Sequence, residues 1–109
     1  MTAEPIPPTA VVRVSRGNFD PARFAEVHEM SIAIGTFLVP AIKALPGLIS
    51  YQAGASPDGS MIHVSIWESD EHAQQMSRLK EMIVDAQQAA AKAGVSFIPI
   101  VNYPIDWTI

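Results

Sequence analysis

Cysteine is absent from the 109 residues. Its absence excludes a disulfide framework, a thiolate nucleophile and cysteine-based zinc or iron–sulfur sites. Basic residues are scarce: Lys and Arg number 7 against 11 Asp and Glu, a net charge of −4. Nucleic acid needs clustered Lys and Arg for its phosphates, so no nucleic-acid partner is expected. No apolar run reaches the roughly 20 residues that cross a bilayer, so no membrane partner is expected. The first ten residues lack the basic and apolar stretches of a secretory leader, which makes the cytoplasm the expected location. There is no Gly-rich phosphate loop and no Ser nucleophile elbow. The three histidines form no metal-binding spacing, so a metal held by His28, His63 and His72 is not expected.

What remains is a chain of 49% hydrophobic and 17% charged residues, the composition of one globular domain. Residues 1–9 carry three prolines and read as an extended arm. Residues 10–103 read as the domain. Val11 to Arg16 is short and β-branched, a strand ended by Gly17-Asn18. Asp20-Pro21 starts a helix whose stripe is Phe24, Val27, Met30, Ile34, Phe37, Leu38 and Ala41. Pro40 predicts a kink or break, with a short final turn to Leu45 before Pro46-Gly47. Leu48–Ala55 and Met61–Trp67 are strands joined by Ser56-Pro57-Asp58-Gly59-Ser60, a three-residue hairpin loop with a bulge. Ser69 or Asp70 caps a second helix, with Ala73, Met76, Leu79, Ile83, Ala86 and Ala90 inward and Gly94 at its end. Phe97 to Tyr103 is the last strand, with Pro99 at an edge or bulge. The tail, residues 104–109, is too apolar for a free end and is expected to dock.

Strand, helix, strand, strand, helix, strand is the split βαβ, ferredoxin-like α+β pattern. Two helices cover one face of such a sheet. The last strand is nevertheless apolar at both parities, with Phe97, Val101 and Tyr103 on one side and Ile98 and Ile100 on the other. An apolar face left open calls for a partner, and the economical one is a second copy in a two-fold homodimer. If Ser56 and Ser60 flank the loop, Ala53 faces His63, Tyr51 faces Ser65 and Ile49 faces Trp67. Alternation then puts Tyr51, His63, Ser65 and Trp67 on one face and Ile62, Val64 and Ile66 on the other.

Leu45-Pro46-Gly47-Leu48 before a strand, and Trp67-Glu68-Ser69 between a strand and a helix, together with the element order, resemble the antibiotic biosynthesis monooxygenase-like family of dimeric α+β barrels. The resemblance spans roughly residues 10–103. It implies a homodimeric barrel and, from the characterised members, cofactor-independent oxygenation of phenols and anthrones or heme degradation. Family members carry an Asn and, four residues later, a Trp in the pocket. Trp67 matches the Trp, and His63 stands where the Asn would be. The heme-degrading members need a His where this chain has Gln75, Met76 and Ser77, which disfavours that subclass.

The resulting expectation is an enzyme without a cofactor, acting on a small aromatic or polyketide-like ligand. His63 is the candidate proton acceptor, because imidazole takes and gives protons near neutrality. Trp67 is a candidate stacking wall and Tyr51 a hydrogen-bonding partner. Phe37, Met76 and Leu79 are stripe residues that would line an apolar pocket. His72 would rim it, while His28 reads as a boundary residue, and Gly35 as room for a ligand or a close backbone. Packing explains these residues too, with His63 as a hydrogen-bonded sheet or interface residue. Arg13, Arg16, Arg23 and Arg78 read as surface residues. Two alternatives stand beside the oxygenase: a non-catalytic ligand-binding or scaffold dimer, and an isomerase or decarboxylase-type member of the same superfamily.

Overall fold

The computed structural model describes residues 6–109. Most of the proline arm, residues 1–5, lies outside the described residues. The rest of it turns at Pro8-Thr9, and the Thr9 hydroxyl donates to the Glu68 carbonyl at 2.6 Å.

The first strand, β1, runs Val11–Asn18. Asp20 then caps a single 3-10 turn, Pro21–Arg23, by accepting from the Ala22 N–H. The helix α1 follows without interruption over Phe24–Lys43. The expected break at Pro40 does not occur. Pro40 is exposed and stands in the last turn, so the one missing donor leaves a carbonyl facing water, while Leu38 and Ile42 are buried on either side of it. Among the described residues, Pro21–Lys43 is long and apolar enough to cross a membrane by length and composition, beyond what the apolar runs indicated. It lies along the sheet, with Val27, Ile34, Leu38 and Ile42 buried.

Strands β2, Leu48–Ser56, and β3, Ser60–Trp67, form the expected hairpin. Ala53 pairs with His63 and Tyr51 with Ser65. At the far end the register shifts: Leu48, not Ile49, faces Trp67, because a bulge at Ile49 absorbs one residue. The second helical region departs further from expectation. Ser69 caps a short α2, Asp70–Gln74, which tightens into a 3-10 turn over Gln75–Arg78. Leu79 is extended (φ −81°, ψ 112°), and a π-helical stretch, Glu81–Ala86, leads into α3, Gln87–Lys92. The break changes the helical phase. Met82 turns inward and Ile83 outward, so Ile83 is not a core residue. Gly94, at φ +82°, ends α3, with the Val95 N–H donating to the Ala90 carbonyl.

The last strand is two short pieces, β4 Ser96–Phe97 and β5 Val101–Pro104, both antiparallel to β1. Phe97 pairs with Gly17, yet Val101 pairs with Val14, so residues 98–100 shift the register by one. The parity reading changes accordingly. Phe97 shares the helix-facing side with Gly17, whereas Val101 and Tyr103 lie on the outer face with Val14 and Val12. The sheet order β2-β3-β1-β4/β5, antiparallel throughout, is ferredoxin-like α+β.

The helix-facing side carries two apolar clusters. One surrounds Trp67 with Val11, Ile34, Leu38, Ile42 and Met76, and the other groups Phe19, Val27, Met61, Ala90 and Val95. The opposite face has no helix. Ile62, Ile98, Val101 and Tyr103 are exposed there, and the tail leaves Trp107 78% exposed.

The hairpin loop depends on Gly59. Its φ is +99°, and a Cβ there would stand 2.6 Å from the Phe19 carbonyl oxygen. The Gly59→Ala variant is expected to lose about 1–3 kcal/mol in urea unfolding, through strain in a left-handed conformation plus the contact with backbone. Unchanged stability would show that the loop takes up the methyl group freely.

Candidate functional site

Register places the polar groups of the site. On the helix-facing side of β3 stand His63, Ser65 and Trp67; opposite them are Ala53 and Tyr51 on β2 and Ser15, Arg13 and Val11 on β1. The Tyr51 hydroxyl lies 2.6 Å from His63 Nδ1, with the two rings edge-on at 5.6 Å between centroids. Trp67 is fully buried and donates its indole N–H to Ser65 Oγ at 2.9 Å. Among the described residues no buried side-chain polar atom lacks a partner.

A cavity of about 300 Å³ opens between α1 and the β2–β3 hairpin. Ser31, Gly35, Leu38 and Ile42 form its helical wall, and Tyr51 and His63 its polar floor. Gly35 here makes room rather than a close backbone contact, since a Cβ on it would meet nothing within 4 Å. The cavity therefore combines an apolar lining with one phenol–imidazole pair.

Burial sets the protonation states. It pushes the His63 imidazole below its ordinary value, which favours the neutral ring. It pushes the Tyr51 phenol well above the usual range, and the positive charge of Arg13 pulls it part of the way back. A neutral imidazole and a neutral phenol share one short hydrogen bond. If Nδ1–H donates to Tyr51 Oη, the ring's Nε2 is the bare base. If the Tyr51 O–H donates to Nδ1, Tyr51 Oη takes a proton from outside while passing its own to His63. Either tautomer provides a proton acceptor.

Of the other candidate residues, Met76 shares a narrow gap with Tyr51 and His63, and the rest line neither that gap nor the cavity. Trp67 packs inside the core cluster and does not line the cavity. Phe37 and Leu79 are half-buried against the same cluster. His72 lies in the first turn of α2 against its cap: its N–H donates to Ser69 Oγ, its Nδ1 is 2.8 Å from the same oxygen, and its ring fills the space beside Gly47. His28 stacks on Phe24. Met76 is buried and lines a second hollow beside β1. Arg13 had been read as a surface residue, and that reading is corrected. It is only 8% exposed, because β1 is a central strand and its odd-numbered side chains point under the helices. Nothing in the spacing of the arginines marks Arg13. Its shared parity with Val11 in a strand flanked on both sides is the one available signal.

No family model matches the chain, and no curated protein matches it. Solved structures do. The chain is similar to SnoaB, a cofactor-independent oxygenase from Streptomyces nogalater, at 13% identity and a TM-score of 0.63, covering 93% of this chain and 97% of that one. It is similar to a monooxygenase from the gene ActVA-Orf6 of Streptomyces coelicolor, solved with the ligand nanaomycin D, at 19% identity and a TM-score of 0.66, covering 93% and 91%. A dimeric ferredoxin-like protein from an uncultured marine organism gives 14% identity, a TM-score of 0.69 and the same coverage. The fold is that of these proteins, and the family resemblance drawn from the sequence holds at the level of fold.

The depressed imidazole has a consequence for stability. In the folded chain His63 resists the proton that it accepts when unfolded, at about pH 6.5. Below that pH the unfolded state binds more protons, so stability falls as pH falls from about 6.5 toward the folded value. The His63→Gln variant keeps a hydrogen-bonding group without the titration. Between about pH 7.5 and pH 5.5 it is expected to lose less melting temperature than the wild type. Parallel curves for the two proteins would refute the depressed value.

Proposed function

We propose that the chain is a homodimeric, monooxygenase-like enzyme of the antibiotic biosynthesis monooxygenase-like family, acting on a small aromatic or polyketide-like compound. The observation that carries this reading is the 2.6 Å Tyr51–His63 pair on the floor of an apolar cavity. The fold shared with the two oxygenases supports it.

The chemistry asks little of the protein. The dyad removes a proton from a phenol or an acidic C–H of the substrate. The resulting anion is electron-rich and reduces dioxygen itself. One oxygen atom enters the substrate as a carbonyl, and the other leaves as water with two substrate hydrogens, both from the CH₂ of an anthrone or one each from the O–H and a ring C–H of a phenol. No outside reductant is needed. The apolar walls keep water from the anion and strengthen the field of Arg13, which favours negative charge at Tyr51.

Oxygen uptake with a panel of anthrones and naphthols tests this. The wild type is expected to consume one dioxygen per molecule oxidised. The His63→Ala variant is expected to retain the fold and lose about 10²–10⁴ in kcat. Product formed equally under argon would favour the isomerase or decarboxylase-type reading. Tight binding without turnover would favour the ligand-binding scaffold.

The open sheet face supports the homodimer. Val12, Val14, Ile62, Val64, Ile66, Val101 and Tyr103 make it apolar across β3, β1 and β5, with Ser50 and Gln52 of β2 at one margin. Such a face is covered most simply by its own two-fold copy, and the exposed tail would dock in the same assembly. Sedimentation equilibrium is expected to return a dimer for the wild type and a monomer for Ile62→Glu combined with Val101→Glu. A wild type that sediments as one chain at micromolar concentration would remove the dimer from the proposal.

A further inference from the structure

A second hollow, of about 760 Å³, lies on the same sheet face beneath the broken helical region. β1 and the β4–β5 edge form its floor, and Met76, Ser77 and Met82 its roof. Arg13 stands in it. A guanidinium withdrawn from water in this way is costly and is ordinarily met by a carboxylate. Arg13 has none: among the described residues the ion pairs are Arg23–Glu26 and Lys80–Asp85. Its acceptors are both neutral, Asn102 Oδ1 at 3.1 Å and Ser77 Oγ at 3.3 Å. Asp70, at the exposed rim of the same hollow, makes no ion pair with Arg13; its charge acts on the guanidinium through space, and its Oδ1 accepts from Asn102 Nδ2 at 3.0 Å. Of five guanidinium N–H groups, two are taken by protein acceptors of the described residues.

Met76, Met82, Phe97 and Ile100 give the hollow an apolar side, while Asp70, Gln74, Gln87 and Asn102 make the rest of its lining polar. Phe97 and Ile100 are each 45% exposed, a large apolar area open to the hollow. A cation at the deep end with an aromatic and aliphatic lining fits a flat apolar body that carries one carboxylate. A planar carboxylate also matches the guanidinium fork. A narrow gap of about 30 Å³, lined by Arg13, Ser15, Met76, Met82 and Ile100 and also by Tyr51 and His63, lies between this place and the pair.

We infer that Arg13 is an anion-binding residue that anchors the carboxylate of a small aromatic acid, whose ring lies on Met76, Met82, Phe97 and Ile100. That this acid is also the substrate rests on the proposed reaction, because the gap brings its far end toward the Tyr51–His63 pair. The binding itself does not depend on that reaction.

Calorimetric titration with 2-naphthoate and its neutral isostere 2-naphthamide tests the inference. The wild type is expected to bind the carboxylate about tenfold or more tighter than the amide at low ionic strength. Arg13→Met is expected to bring naphthoate down to the amide's affinity and to leave the amide unchanged. Should Arg13→Met not fold, Ser77→Asp carries the same test. It changes an exposed position and gives the Arg13 Nη2 an internal carboxylate, so it too is expected to abolish the preference. Equal binding of both probes by the wild type, no binding of either, or a preference that survives both substitutions would overturn the assignment. Oxygen uptake by the wild type separates the two proposals, because naphthoate binding at Arg13 requires no turnover. If the preference holds but no substrate is turned over, the anion site stands and the oxygenase reading falls.

Discussion

The site depends on the pairing register of the β2–β3 hairpin. Tyr51 and His63 meet because Ala53 pairs with His63 and Tyr51 with Ser65, which places both side chains on the face beneath the helices. A slip of one residue would put Tyr51 and His63 on opposite faces and bring Ile62 and Val64 to the face of Tyr51. The loop fixes that register at its closed end. The Gly59 N–H donates to the Ser56 carbonyl, and Asp58 Oδ1 accepts from the Ser60 N–H and hydroxyl. The bulge at Ile49 lies at the open end, beyond Tyr51, so it alters the approach to Trp67 and leaves the phenol–imidazole pair in place.

Polar groups under a sheet are costly unless each has a partner. Here they are satisfied pairwise: Tyr51 with His63, Trp67 with Ser65, Arg13 with Asn102 and Ser77. The pairs are not equivalent. The indole–hydroxyl pair is closed inside the core and does structural work. The phenol–imidazole pair ends at a cavity, and burial holds both members neutral. The guanidinium keeps its charge beside neutral acceptors. Within one sheet face the chain thus holds a neutral proton acceptor next to a fixed positive charge, the arrangement that favours formation of an anion between them.

Much of this was legible in the residues. Period-two alternation, together with the Pro57-Asp58-Gly59 loop, was enough to pair Tyr51 with Ser65 and so to bring it near His63. The order of elements indicated the ferredoxin-like sheet. The misreadings have local physical causes. Pro40 carries the chemistry of a helix breaker, but at an exposed last turn the lost bond costs little, and buried Leu38 and Ile42 hold the helix together. Pro99 was correctly read as an irregularity. Its effect on parity depends on whether the ladder skips a residue, which no propensity encodes. Arg13 was missed because burial of a charge is decided by the neighbours of its strand in space, and β1 becomes central only when β3 and the β4–β5 pieces pair on either side of it.

The break at Leu79 is where local irregularity and the site converge. Sequence periodicity runs through this position without a Gly or Pro, and a regular helix would have kept Ile83 facing the sheet. Instead Leu79 is extended, and the following residues wind as a π-helix, a geometry that persists where tertiary contacts repay its poorer hydrogen bonding. Three contacts do so here. Leu79 packs on the Trp67 cluster, Met82 takes the inward place of Ile83, and Ser77 is left beside Arg13. A continuous helix would have laid an unbroken apolar stripe over β1 and closed the space above Arg13. The distortion leaves that space open, and the arginine within it donates to the neutral Asn102 and Ser77.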